Sequence, residues 1–77
     1  MAEKSAAAEL VEYIAKAIVT DPGAVRVREP EPGELELETA QDDRGRVIGR
    51  QGRVAKAMRV VLAASRDGAD SRLEIVD

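Results

Sequence analysis

Between Gly45 and Leu62 the chain reads GRVIGRQGRVAKAMRVVL, and this stretch limits the possible folds more than any other. Val47 and Ile48 run into Gly49-Arg50-Gln51-Gly52, after which Val54, Ala57, Met58, Val61 and Leu62 recur at the spacing of one helix face. A tight glycine turn therefore feeds a helix. Glycines at 49 and 52 remove β-carbons that would hold another backbone away. A helix starting near Gly52 directs unpaired N–H groups and the positive end of its dipole at whatever rests on the turn. Such a place suits a phosphate. Arg50 and Gln51 at the tip add one charged and several neutral donors, with Val47, Ile48 and Val54 as apolar surface beside them.

Charge supports that reading once it is resolved along the chain. The net charge is −3, which by itself argues against a polyanionic partner. From Arg44 to Arg66, however, there are seven basic residues (Arg44, Arg46, Arg50, Arg53, Lys56, Arg59 and Arg66) and no acidic one, while the remainder carries −10. Beyond roughly 8 Å in physiological salt the distant carboxylates are largely screened, so a polyanion responds to the local field. Arg50 is the expected phosphate contact, with the Gln51 side chain and the Gln51 and Gly52 backbone amides completing a cradle. Arg53, Lys56 and Arg46 support it, and Arg59 and Arg66 only shape the field.

The rest of the chain reads as one small α+β unit. Ala6 to Val19 places Ala7, Leu10, Val11, Ile14, Ala17 and Ile18 on one face, with Ser5 as N-cap. Tyr13, the only aromatic residue, is expected to cover the core partly with its hydroxyl in water. Thr20-Asp21-Pro22-Gly23 stops the helix. Ala24 to Glu29 alternates as a half-buried strand, Glu29-Pro30-Glu31-Pro32-Gly33 breaks it, and Glu34 to Thr39 alternates again, so the two form a hairpin. Arg26 and Arg28 then sit across from Glu34, Glu36 and Glu38, a solvated face with nothing to make those carboxylates catalytic. Ala40 to Arg46 is open between a loop and a short helix, with Asp42 as a possible cap. A helix from about Gly52 to Ser65, a turn over Arg66 to Asp70 and a strand from Ser71 to Val76 complete the order. Leu35, Leu37, Val25, Val27, Leu73 and Ile75 make the inner sheet face, and Met58 belongs to the core.

Ile48-Gly49-Arg50-Gln51-Gly52 followed by Lys56-Ala57-Met58-Arg59 resembles the GXXG loop and following helix of a KH domain. The length and the element order α-β-β-α-α-β resemble the small bacterial single-KH proteins of the KhpA type. That resemblance covers nearly all of residues 1–77. It implies a type II KH fold, a three-stranded sheet covered on one face by helices, and it favours the short helix before the loop. It also implies a loop that grips the sugar-phosphate backbone of about four nucleotides of single-stranded RNA. Bases would lie in an apolar groove beside it, with Ile48 and Val54 serving both core and groove. Ala55, where many KH domains carry a bulky aliphatic, would widen or flatten that groove. Homodimers, and pairing with a larger KH protein of the KhpB (Jag) type in post-transcriptional control linked to envelope growth and division, are likewise implied only by the resemblance.

Composition excludes other chemistry. With no histidine, no cysteine and no converging carboxylates, no metal site, cofactor or acid–base set is expected, and no small-molecule substrate. A stacking platform of phenylalanines is excluded as well. The absence of a signal-like start, of a spanning apolar run and of disulfides leads to the expectation of a soluble cytoplasmic protein. The rival reading is a protein-interaction adaptor, in which the same turn and helix act chiefly as a dimer face.

Overall fold

The computed structural model describes residues 5–66 and 70–76. In order these are α1 (Ala6–Ile18), β1 (Arg26–Glu31), β2 (Glu34–Glu38), α2 (Arg44–Ile48), α3 (Arg53–Ala64) and β3 (Arg72–Ile75), with single 3-10 turns at Pro22–Ala24, Gln41–Asp43 and Arg50–Gly52. The expected α-β-β-α-α-β order is the observed one, and the short helix before the glycine turn is α2.

The sheet has strand order β1-β2-β3. β1 and β2 are antiparallel, with Val27 opposite Leu37, whereas β2 and β3 are parallel, with Leu35 opposite Leu73 and Leu37 opposite Ile75. A parallel pair cannot be closed by a tight turn. The α2–turn–α3 segment is therefore the crossover between β2 and β3, with the glycine turn between its two helices.

The core lies between one sheet face and the helices. Leu35, Leu37, Leu73, Val25 and Val27 are buried as expected, and Ile75 packs partly buried at the margin. On the helix side, residue size moves the buried stripes away from those the pattern suggests. In α1 the buried residues are Ala7, Ala8, Val11 and Ala15, while Leu10 and Ile14 flank them and Ala17 and Ile18 face solvent. In α3 they are Ala55, Met58 and Leu62, with Val54 half-buried and Ala57 and Val61 exposed. Ala8, Ala15 and Ala55 are buried while bulkier apolar neighbours are left partly or fully in solvent, so interior packing selects residues by shape as well as by hydropathy. Tyr13 is 75% exposed, which overturns its expected role as core cover.

Boundaries shift for local reasons. Ser5 caps α1 as expected, its hydroxyl accepting from the Ala8 amide at 3.1 Å. Ala24 belongs to the 3-10 turn rather than to β1. β1 continues through Pro30 to Glu31, and the turn shrinks to Pro32-Gly33. An edge strand tolerates proline because its outer N–H has no partner to lose, and the ladder slips between Arg28 and Glu31 to accommodate it. Across the hairpin Arg28 meets Glu38 at 3.2 Å, a diagonal pair on the exposed face. The expected turn over Arg66 to Asp70 falls largely outside the described residues. Among the described residues no helix is long and apolar enough to cross a membrane.

Candidate nucleic-acid interface

The glycine turn takes its shape from backbone conformations that side chains resist. Gly49 closes α2 at φ 79°, ψ 170°, its amide donating to the Gly45 carbonyl at 2.8 Å. Gln51 follows at φ 57° and Gly52 at φ 74°. The Gly52 amide donates to the Gly49 carbonyl at 3.1 Å, and the Arg53 amide donates to the Arg50 carbonyl.

These bonds correct two expectations. The Gly52 N–H is engaged within the turn, so it does not complete an amide cradle with Gln51. The bare α-carbon of Gly49 serves the protein's own packing: a β-carbon there would run into the Val54 side chain and stand 2.8 Å from the Val54 amide nitrogen. Val54 packs into the notch left at Gly49 and pins the start of α3 against the end of α2. A β-carbon at Gly52 would meet open space, so only its φ argues for glycine there. Gly52 is also the N-cap of α3 and supplies no side-chain cap, leaving the dipole end of a 12-residue helix unblocked by a side chain.

Around this turn the expected site residues fall into two groups. Arg50, Gln51, Arg53 and Lys56 are exposed. Arg53 donates through Nη2 to Gln51 Oε1 at 3.4 Å, a bond that uses the amide oxygen and not its NH₂. Ile48 is exposed beside them and Val54 half-buried, so Ile48 is available as groove surface while Val54 mainly packs. Val47 and Met58 are core. Arg46, on α2, is exposed as well, and its Nε lies 3.4 Å from Asp43 Oδ1.

Asp43 is the structural residue that sequence reasoning missed. It is only 1% exposed. Oδ1 accepts from the Thr20 amide at 3.0 Å and the Thr20 hydroxyl at 2.8 Å, and Oδ2 accepts from the Asp21 amide at 3.0 Å. The carboxylate thus ties the segment after α1 to the start of α2 and so positions the crossover. Its pKa is lowered, first by the Thr20 amide and further by the Thr20 hydroxyl, the Asp21 amide and Arg46, against the opposing effect of burial. Asp42, the expected cap, is exposed, and no side-chain cap serves α2 or the 3-10 turn before it. Adjacent aspartates before a glycine turn signal a cap, but the choice of Asp43 and its partners at 20 and 21 depends on tertiary proximity.

Among the described residues no cluster of carboxylates is placed to hold a metal ion. The arrangement offers an uncapped helix start, a tip of exposed donors and a run of single-sign charge, with aliphatic surface beside it.

A sequence model described as KhpA/KhpB, KH domain, matches residues 8–75. A protein of Treponema pallidum named RNA-binding protein KhpA is 47% identical over 75 residues, covering 90% of this chain and 92% of that one. Its namesake from Halalkalibacterium halodurans is 48% identical over 73 residues, covering 88% and 96%. The protein of that name from Streptomyces coelicolor is 42% identical over 72 residues, covering 90% of each. No solved structure matches the chain.

Proposed function

The chain belongs to the KhpA/KhpB family of KH domains, and from that premise we propose that it binds single-stranded RNA, gripping the backbone of about four nucleotides at the Gly49–Gly52 turn. The observation that carries the reading is the exposed turn tip at the uncapped start of α3, centred in a run of seven basic and no acidic residues. The relatives named RNA-binding protein KhpA support the same reading. Arg50 and the Gln51 amide NH₂ meet phosphate first, Arg53 and Lys56 follow along α3, and Ile48 lies under the neighbouring bases with Val54 behind it. Phosphate contacts position the strand but carry no sequence information. A grip made mainly on phosphates therefore reads the strand with low sequence specificity.

A single small site has modest affinity, so pairing with a second KH protein, either a copy of itself or a KhpB (Jag)-type partner, would supply avidity. In this reading the protein acts in the cytoplasm as a post-transcriptional regulator or RNA chaperone. The adaptor alternative keeps one observation in its favour: Tyr13, Val60 and Val61 are large apolar side chains left in solvent.

The test is the double substitution Arg50→Asp with Gln51→Asp. Loss of RNA retention with self-association intact supports the proposal, and unchanged retention with collapsed self-association supports the adaptor. Roughly three to five phosphate contacts predict a log–log salt slope of roughly −2 to −3.5 for a single strand. A flat response refutes the RNA reading.

A further inference from the structure

Asp43 does more than tie chain segments together, because one cation of the basic run rests on it. Its carboxylate is held by the Thr20 amide and hydroxyl on Oδ1 and by the Asp21 amide on Oδ2. A buried charge left without a counter-charge is strongly destabilising. Arg46 supplies that counter-charge: its Nε lies 3.4 Å from Oδ1, and its side chain is 58% exposed against 1% for Asp43. One end of this ion pair is therefore fixed and dry, and the other stands in water.

A guanidinium has five N–H donors in a rigid fork, one on Nε and four on Nη1 and Nη2. The contact with Asp43 is made through Nε, and among the described residues no second partner takes the Nη groups. Ordering a long side chain on a ligand costs rotamer freedom. An arginine already held by an immobile carboxylate has given up much of that freedom before the ligand arrives.

The position of Arg46 connects it to the glycine turn. It lies in the last turn of α2, three residues and about 4.5 Å of helix rise before Gly49. Arg46 and Ile48 are two positions apart, about 200° around the helix, and so form opposite flanks of α2. Between them on the solvent side lies Gly45, exposed, where even an added β-carbon would meet nothing within 4 Å. A strand that crosses this bare stretch to reach the turn finds aliphatic surface on one flank and a held guanidinium on the other.

We propose that Asp43 is a positioning residue for RNA binding, which holds the Arg46 guanidinium so that its Nη groups grip a backbone phosphate next to those on the Gly49–Gly52 turn. The proposal deepens the RNA-binding reading above and rests on it. It gives Asp43 an effect opposite in sign to that of its charge. A carboxylate acting only through the field repels a polyanion, so its removal would tighten binding. A carboxylate that orients the arginine is required for binding.

The experiment uses the full chain and a fluorescein-labelled uridine octamer, with affinity read by anisotropy at several salt concentrations. The variants are Asp43→Asn, Arg46→Gln, Arg46→Lys and the double variant Asp43→Asn with Arg46→Gln, each checked for folding by circular dichroism. Arg46→Gln should weaken binding by about 10-fold, the lower end for a hydrogen bond to a charged group. It should also flatten the salt slope by about 0.7, one phosphate contact on a single strand. Asp43→Asn should weaken binding by a similar factor, and adding it to Arg46→Gln should change little further, because its effect passes through the arginine. Arg46→Lys should keep the salt slope yet lose at least about 3-fold, since one ammonium replaces a fork that serves carboxylate and phosphate together. Unchanged or tighter binding by Asp43→Asn overturns the inference. So does an Asp43→Asn loss that persists undiminished beside Arg46→Gln, which would mean a general distortion of the turn. Arg46→Lys binding as tightly as the wild type overturns it too, and that measurement decides the matter even if Asp43→Asn does not fold. If Arg50→Asp with Gln51→Asp still abolishes binding in those cases, the RNA reading stands without it. If the wild type retains none of the oligomer even at low salt, both fall.

Discussion

Replacing each motif glycine by alanine should have very unequal effects, and the structure allows the inequality to be worked out. At Gly49 the backbone sits at φ 79°, ψ 170°, a region essentially restricted to glycine, and forcing another residue there costs about 1–3 kcal/mol. The new methyl must also displace Val54, whose amide nitrogen is 2.8 Å from the β-carbon position. That nitrogen lies in the first turn of α3 and cannot swing aside like a side-chain tip, so an overpacking cost of about 1–3 kcal/mol is added. Gly49→Ala should therefore lose about 2–6 kcal/mol in all. At Gly52 the backbone is left-handed at φ 74°, ψ 14°, and the β-carbon meets nothing within 4 Å. Only the conformational cost remains, about 1–2 kcal/mol. A domain of this length holds roughly 4–12 kcal/mol of stability, so the first variant approaches the folding limit and the second does not. In thermal melts followed by circular dichroism, Gly52→Ala should lower Tm by about 5–15 °C, and Gly49→Ala by more, or abolish the transition. Equal losses for the two variants would refute the reasoning, because they would mean that Val54 does not occupy the notch at Gly49. Gly52→Asn adds a control: asparagine tolerates left-handed backbone, so it should lose less than alanine at the same position.

Acid should weaken the fold through Asp43 and Glu29. The Glu29 pKa is lowered chiefly by the Gly33 amide, which donates to Oε2 at 2.8 Å, and also by the Ser5 hydroxyl; that of Asp43 is lowered chiefly by the Thr20 amide. Carboxyls whose folded pKa lies below the unfolded value contribute stability above about pH 4–5, and lose it as pH falls through the folded value. Urea midpoints should be level between neutrality and about pH 5 and then drop, and Asp43→Asn should be less stable at neutrality and flatter in acid; a parallel drop in the variant would remove Asp43 from the account. Met58 is 2% exposed and Tyr13 75%, so Met58→Ala should lose about 2–5 kcal/mol in chemical denaturation while Tyr13→Ala stays within about 0.5 kcal/mol. The Arg28–Glu38 pair, with 61% and 33% of its side chains exposed, should show a coupling of no more than about 1 kcal/mol in a double-mutant cycle, and less in high salt.

Local pattern in the sequence was enough to place the elements. The alternation at Val25 and Val27, at Leu35 and Leu37, and at Leu73 and Ile75 identified the inner sheet face, because a strand's period of two leaves its residues only two sides. The glycines at 49 and 52 with the apolar pair before them located the turn between α2 and α3, because left-handed backbone leaves glycine as the cheap choice. The one-sided charge of 44–66 was likewise plain in the residue order. Which helix residues go inside was decided by tertiary packing. Periodicity nominates a stripe but does not say which of its residues the neighbouring elements cover, and the packing buries Ala8, Ala15 and Ala55 while it exposes Ile18 and Val61. Three further assignments needed chain segments far apart in sequence to meet: Asp43 with Thr20 and Asp21, Arg59 with Leu73, and the parallel partnership of β2 and β3. A hydrogen-bond partner 14 or 23 residues away leaves no periodic trace, since its identity depends on where the fold brings two backbones together.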